Sequence, residues 1–285
     1  MQVRSLLAVF AHPDDEAFGS GGTLARYAAE GVHIMLVCAT RGEVGEISDP
    51  ALATPETLGN VREAELRNAA QVLGLTDVRF LGYRDSGMAG TDNNQHPDAF
   101  VNTAAEPVVA QLVRLIRLLQ PQVVLTFDPH GGYGHPDHIA IHQHTVAAVH
   151  AAGDAQRYPG QGSPWQVARL FYPVFTRGML YKMRDLLVAA NVDTSQFDRL
   201  AESDIGWPDD QVHAVLDVKS VVDVKWSALH AHRTQFGPNN PFRQLPEELA
   251  KQLMSREHFA LAWPEPEPGL QLDDLFAGVE IQPRT

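Results

Sequence analysis

Short apolar runs alternate with amphipathic stretches through the first 175 residues of the chain. Val3–Phe10 is a nearly continuous apolar run, stopped by His12-Pro13, and predicts a buried strand. Gly19-Ser20-Gly21-Gly22 predicts a turn. Thr23–Glu30, with Leu24, Tyr27 and Ala28 on one face, predicts a helix that Gly31 ends. Val32–Ala39 is the next apolar run, and a β-α-β order implies parallel strands joined by a right-handed crossover. The alternation continues with a helix over Asn60–Leu73, a strand over Val78–Leu81, a helix over Ala104–Leu119, a strand over Gln122–Phe127 and a helix over Ile139–Ala152.

This pattern predicts an α/β fold: a Rossmann-like, doubly wound, mostly parallel sheet over residues 1–175, including a further strand at Val167–Val174. Residues 176–262 follow as a C-terminal elaboration of the same domain, with a helix over Met179–Ala190, a strand over Val212–Val218 and a helix over Lys219–Gln235. Residues 263–285 alternate proline and acid and predict an arm. Leu270, Leu272, Leu275 and Phe276 can dock it on the core or on a neighbouring subunit, so a homo-oligomer stays open.

Two long polar loops, 41–59 and 82–101, lie beyond strand ends, where long loops usually carry function. The two densest polar clusters are Ala11–Glu16 (AHPDDE) after the first strand and Asp128–His138 (DPHGGYGHPDH) after the fourth. In an open parallel sheet the ligand site lies outside the carboxyl ends of the strands, where strand order reverses. A doubly wound topology therefore brings the two clusters together.

Composition narrows the class of partner. With 22 basic and 35 acidic side chains the formal charge is −13, which argues against nucleic acid or an anionic membrane and favours a small, weakly charged substrate. No window reaches the roughly 18 apolar residues of a membrane span, and the first apolar run lacks a cleavage signature, so a cytoplasmic enzyme is the default. The single cysteine, Cys38, lies within an apolar run and is expected as a small buried side chain.

Residues 12–16 hold one imidazole and three carboxylates, whose like charges repel unless a cation, a proton or water-rich exposure offsets them, and a bound metal is the simplest such cation. Zinc takes imidazole nitrogen and carboxylate oxygen, and a catalytic site keeps three protein ligands with a position left for water. His12 and Asp15 can face one point from a tight strand-to-helix turn, and His135 or His138 can supply the third ligand. Asp14 is then free to act as a base, and the remaining histidine to donate. Glu16 is left as a helix-start carboxylate favoured by the helix dipole. His-Pro-Asp recurs at 96–98 without a preceding strand and is expected as a loop cap. His142, His144 and His150 are expected to be partly exposed, and Lys219–Gln235, with His230, His232 and Gln235, to pack as a helix that can close one wall of the pocket. The glycines at 19–22 do not match a dinucleotide loop, and no serine nucleophile elbow is present.

The chain resembles the LmbE/PIG-L metal-dependent deacetylases. The match is carried by AHPDDE at 11–16, TRGEVGE at 40–46, VREAEL at 61–66, RDSGMAGT at 84–91, GGYGHPDH at 131–138 and, more weakly, AHRTQ at 231–235. It lies nearest the enzymes that act on N-acetylglucosaminyl intermediates and conjugates of low-molecular-weight thiols of the mycothiol and bacillithiol type. The resemblance implies zinc, with iron as an alternative, held by His12, Asp15 and His138, and Asp14 as general base. It implies that His135, supported by Asp137, stabilises the tetrahedral intermediate or protonates the leaving amine, and that Tyr133 approaches the oxyanion. Arg62 and Asp85 match positions that hold sugar hydroxyls. The expected activity is removal of an N-acetyl group from a GlcNAc glycoside, with an amidase for thiol S-conjugates as the alternative. A reading of another class is a Rossmann-like module that binds a sugar or nucleotide without chemistry.

Overall fold

The first apolar run forms β1 (Ser5–Phe10), all six residues of which are buried. Alternation sends Leu6, Ala8 and Phe10 into one hydrophobic cluster and Leu7, Val9 and Ala11 into another. A strand without a polar face belongs inside a sheet covered by helices on both sides. The structure, a computed structural model, describes residues 3–192, 194 and 206–281. β2 (His33–Cys38), β3 (Asp77–Phe80), β4 (Val123–Leu125) and β5 (Arg169–Val174) join β1 as parallel strands. β6 (Ala214–Asp217) and β7 (Arg256–Trp263) extend the sheet, and β7 runs antiparallel to both of its neighbours. The strand order is β3-β2-β1-β4-β5-β7-β6, so the sheet is Rossmann-like and doubly wound, and its order reverses between β1 and β4 as the pattern predicted.

α1 (Asp15–Ala29) and α2 (Leu58–Leu73) cover one face through Leu24, Tyr27, Leu66 and Leu73. α3 (Ala105–Leu119) and α5 (Pro136–Ala152) cover the other through Val108, Leu112, Ile116 and Ile141, with the single turn α4 (Gly131–Gly134) ahead of α5. A third cluster joins α6 (Arg177–Ala189), α7 (Val222–Ala231), α8 (Pro241–Gln244) and α9 (Glu247–Met254) around Trp226, Phe236 and Phe242, with Ala17 of α1 among them. Among the described residues no helix is long and apolar enough to cross a membrane.

Two expectations change. The helix expected from Thr23 starts at Asp15, and the glycines taken for a turn lie inside it. Tertiary packing explains this: a Cβ on Gly22 would sit 2.6 Å from the Val218 side chain, so the glycine permits close approach rather than a bend. β7 was not foreseen. Its buried Glu257 breaks the apolar pattern, and is matched by Lys225 of α7 at 2.6 Å and by the Gly22 and Thr23 amides at 2.8 and 2.7 Å. The C-terminal arm docks on the core: Leu272 bridges to β6, Leu275 and Phe276 are buried, and Tyr27 donates its hydroxyl to Asp274 at 2.7 Å.

Candidate metal centre

Both polar clusters sit just past the ends of β1 and β4, and each is shaped by a special backbone. Asp14 caps α1 with φ 110° and ψ −25°, a left-handed conformation that costs a non-glycine residue about 1–3 kcal/mol. That turn separates its carboxylate from the one on Asp15, the first residue of the helix. On the other side His135 is extended, and Pro136 begins α5. Gly131, at φ 65°, comes so close to His138 that a Cβ there would lie 2.8 Å from the His138 Cβ, and its carbonyl lies 3.1 Å from His138 Nδ1.

Those contacts fix which ring nitrogens are free. A carbonyl only accepts, so His138 carries its hydrogen on Nδ1 and keeps a lone pair on Nε2. His12 Nε2 faces carboxylate oxygens of Asp137 at 3.2 Å and Asp85 at 3.5 Å, which leaves Nδ1 on the other side of the ring. His12 Nδ1 and His138 Nε2 are 3.2 Å apart, and the Asp15 carboxylate lies beside both, its Oδ2 3.6 Å from the first and its Oδ1 3.4 Å from the second, with Oδ2 also accepting the His12 amide at 2.7 Å. Tetrahedral bonds of about 2.0–2.2 Å place ligand atoms about 3.3–3.6 Å apart, so two imidazoles and a carboxylate at these separations fit a zinc-like ion.

Two other combinations of these residues also bring donor atoms together. Ring nitrogens of His12, His135 and His138 lie within 4.8 Å of one another, as do donor atoms of His12, Asp85 and Asp137. His135 Nδ1, however, accepts the Asp137 amide at 3.1 Å, so a neutral His135 ring offers an N–H rather than a lone pair on Nε2. Asp85 already takes the Gly87 and Val44 amides at 2.8 and 3.2 Å.

The electrostatics show the charge that a cation would supply. Burial works to lower the His12 pKa, yet Asp137 and Asp85 beside the ring raise it to about 10, so without a metal a proton on His12 offsets the acids. Burial raises Asp14 to about 6 against the opposing pull of Arg62, and raises Asp15 to about 6 against that of His12. Burial, with His12 and His138 alongside, lowers His135 to about 3 and keeps it neutral.

Several expected residues take other places. The Asp137 carboxylate goes to His12 and to the Ser86 amide at 2.9 Å, and only its amide supports His135. Its Oδ1 is buried without a partner among the described residues. Arg62 is 4% exposed, and its guanidinium donates to the carbonyls of Pro13 at 2.6 Å and Gly42 at 2.9 Å and to Asp14 at 3.3 Å. Asp85 is 2% exposed. Arg62 thus holds the turn at Asp14, and Asp85 holds the Gly87 and Val44 amides beside the His12 ring. Tyr133 is exposed, with its ring edge-on to His138 and His135 at 5.1 and 6.2 Å. His142 is buried with Nδ1 2.8 Å from the Phe127 carbonyl, not partly exposed.

Glu16 was expected only as a helix-start carboxylate and His232 only as part of a helix closing one wall; the structure joins the two. Glu16 does begin α1, but it is wholly buried, accepting the Asp14 amide at 3.0 Å and lying 2.7 Å from His232 Nε2. His232 belongs to the weak AHRTQ match, whose Thr234 also bonds Glu65, and it follows the helix that ends at Ala231 instead of lying within it.

The family profile described as PIG-L, GlcNAc-PI de-N-acetylase, matches residues 7–149. Among named relatives, a 1D-myo-inositol 2-acetamido-2-deoxy-alpha-D-glucopyranoside deacetylase of Rhodococcus jostii is 40% identical over 98% of this chain and 99% of its own length. A protein of the same name from Streptomyces scabiei is 39% identical over 96% of this chain and 89% of its own length. Among solved structures, a conserved protein of Thermus thermophilus superposes with a TM-score of 0.59 at 28% identity, covering 92% of this chain and 96% of that one. The N,N'-diacetylchitobiose deacetylase of Pyrococcus horikoshii superposes with a TM-score of 0.63 at 20% identity, covering 91% and 84%, a likeness of fold.

Proposed function

Because the chain belongs to the PIG-L family, we propose that it is a metal-dependent hydrolase that removes the N-acetyl group from an N-acetylglucosaminyl small molecule. The substrate in this reading is the glycoside in the relatives' names, 1D-myo-inositol 2-acetamido-2-deoxy-α-D-glucopyranoside, and the products are acetate and a free amine. That reaction fits a step in making a low-molecular-weight thiol of the mycothiol type. The observation that carries the reading is the meeting of His12 Nδ1 and His138 Nε2, 3.2 Å apart, with the Asp15 carboxylate, whose two oxygens lie 3.6 Å from the first and 3.4 Å from the second.

His12, Asp15 and His138 would hold the ion, and zinc suits the set, with ferrous iron as the alternative. The chemistry that such an ion supplies is polarisation of the acetyl carbonyl and acidification of water. The remaining work falls to side chains. Asp137 and Asp85 accept from His12 Nε2 and so keep Nδ1 turned to Asp15 and His138. Asp14 takes a proton from the attacking water as the new C–O bond forms. Tyr133 offers its hydroxyl to the oxyanion. His135, with Nδ1 held by the Asp137 amide, keeps its hydrogen on Nε2 and donates it as a hydrogen bond to the tetrahedral intermediate, while the proton that Asp14 took from water passes to the departing nitrogen as the C–N bond breaks. Arg62 and Asp85 brace Asp14 and His12, besides the sugar contacts that the resemblance implies.

The test is metal analysis together with amine release from that inositol glycoside. Treatment with a chelator should abolish release, and stoichiometric zinc or ferrous iron should restore it. Undiminished turnover by metal-free protein, or saturable binding of the glycoside without amine release, would overturn the reading. Running thiol S-conjugates in the same assay separates the deacetylase from the amidase.

A further inference from the structure

We propose that Glu16 and His232 are positioning residues for Asp14, and that through them the segment after α7 sets the geometry of the base. The inference rests on the reading of Asp14 as the base. Glu16 Oε2 accepts the Asp14 amide at 3.0 Å, so it grips the backbone at the one residue of this turn in a left-handed conformation. Glu16 Oε1 lies 2.7 Å from His232 Nε2, and the two side chains are 0% and 1% exposed.

His232 is itself anchored. Thr234, two residues on, donates its amide and hydroxyl to Glu65 at 2.9 and 2.6 Å, and its carbonyl accepts the Ser48 amide at 2.9 Å. Gln235 donates to the Glu46 carbonyl at 2.8 Å. The chain of contacts thus runs from α2 and the 41–59 loop, through residues 232–235, to Glu16 and the Asp14 amide. From the opposite side Arg62 holds the Pro13 carbonyl at 2.6 Å and the Asp14 carboxylate at 3.3 Å. Asp14 is clamped at its amide, at the carbonyl before it and at its own side chain.

Stability alone gives little reason for such a pair. Apolar side chains of similar volume often replace a buried ion pair without loss, and His232 Nδ1 is buried with no partner among the described residues. What an apolar pair cannot do is accept the Asp14 amide. A base displaced by about 1 Å loses on the order of 10²-fold in rate, so a device that fixes one backbone amide is worth its awkward chemistry.

The test compares Glu16→Ala, Glu16→Gln and Asp14→Asn in amine release from the inositol glycoside, with metal content and hydrogen exchange of the residue-14 amide measured on each. Glu16→Ala should keep its metal, lower kcat by roughly 10–10²-fold at little change in KM, and lose protection of that amide. Glu16→Gln retains a carbonyl oxygen that can accept the amide, and should recover most of the lost rate and protection. Wild-type kcat in metal-loaded Glu16→Ala, loss of the metal itself, or no rescue by Gln would overturn the inference. Full activity in Asp14→Asn would instead overturn the assignment of the base. If Glu16→Ala does not fold, His232→Gln carries the test, since it frees the outer end of Glu16: a lower kcat at constant metal content supports the pair, and an unchanged kcat overturns it.

Discussion

His-Pro-Asp stands at residues 12–14 and again at 135–137, and the two copies do different work because the helix begins at a different point in each. In the first, helix α1 begins after the tripeptide, so Asp14 is its cap and the chain turns left-handed there. In the second, His135 is the cap, Pro136 is the first helical residue, and Asp137 lies in the first turn of α5. Proline suits the first position of a helix because its missing N–H would be unpaired there anyway. The shift of two residues decides which acid is available. Among the described residues the Asp14 carboxylate has a side-chain ion pair with Arg62 alone, whereas Asp137 is fully buried with its Oδ2 on His12 and the Ser86 amide. The residues that follow, Asp15 and His138, then face each other at 3.4 Å. In the proposed reaction one tripeptide gives a base, the other a support for a ligand.

The largest effect expected from this contrast is at Asp14. Asp14→Asn keeps the size of the side chain and removes its ability to take a proton, so kcat should fall by about 10²–10⁴-fold while metal content stays at the wild-type level. Turnover close to wild type in the metal-loaded variant would erase the distinction between the two copies.

What the amino-acid pattern reveals about this contrast, and what it hides, follows from the range of the forces involved. The parallel half was readable because β1, β2 and β4 are continuous apolar runs bounded by Gly, Pro or His-Pro, and because strand order then places their ends together. The pairing of His12 and Asp15 with a histidine near 135–138 followed from that topology. The start of α1 was not readable, because contact of Gly22 with Val218 lets glycines that look like a turn stay helical. The Glu16–His232 contact joins residues 216 apart in sequence, and no local rule pairs them. The inward turn of Arg62 depends on the 41–59 loop, where Gly42 and Gly45 leave room for its guanidinium: a Cβ at either would fall within 2.5 Å of Arg62 Nη1.

A smaller effect of another kind is expected at Asp137. Asp137→Ala leaves His12 Nε2 and the Ser86 amide without their shared partner, and loss of an outer hydrogen bond of this sort typically weakens metal affinity by about 10–100-fold. Titration with a competing chelator should show that weakening, and saturating metal should return much of the activity. If Asp137→Ala instead holds metal as tightly as wild type and stays inactive at saturation, Asp137 acts in the reaction itself, and the division of labour drawn here is wrong.

The third copy, His96-Pro97-Asp98, is the natural control, and the smallest effect is expected there. It repeats the local device of the second copy closely: His96 Nδ1 accepts the Asp98 amide at 3.1 Å, as His135 Nδ1 accepts the Asp137 amide at 3.1 Å. Its surroundings differ. The side chains of His96 and Asp98 are 42% and 83% exposed, and the segment follows a 3-10 turn at Asp92–Gln95 instead of the end of a core strand. If the tripeptide itself carried function, this copy would share it; if the strand end does, this copy is a loop cap and nothing more. Asp98→Ala keeps the amide that His96 accepts, so Tm should move by no more than about 2 °C. Metal affinity and kcat should match wild type. A tenfold loss of either in a fully folded Asp98→Ala protein would mean that the 82–101 loop reaches the reaction through this turn, and that place in the sheet is not what separates the copies.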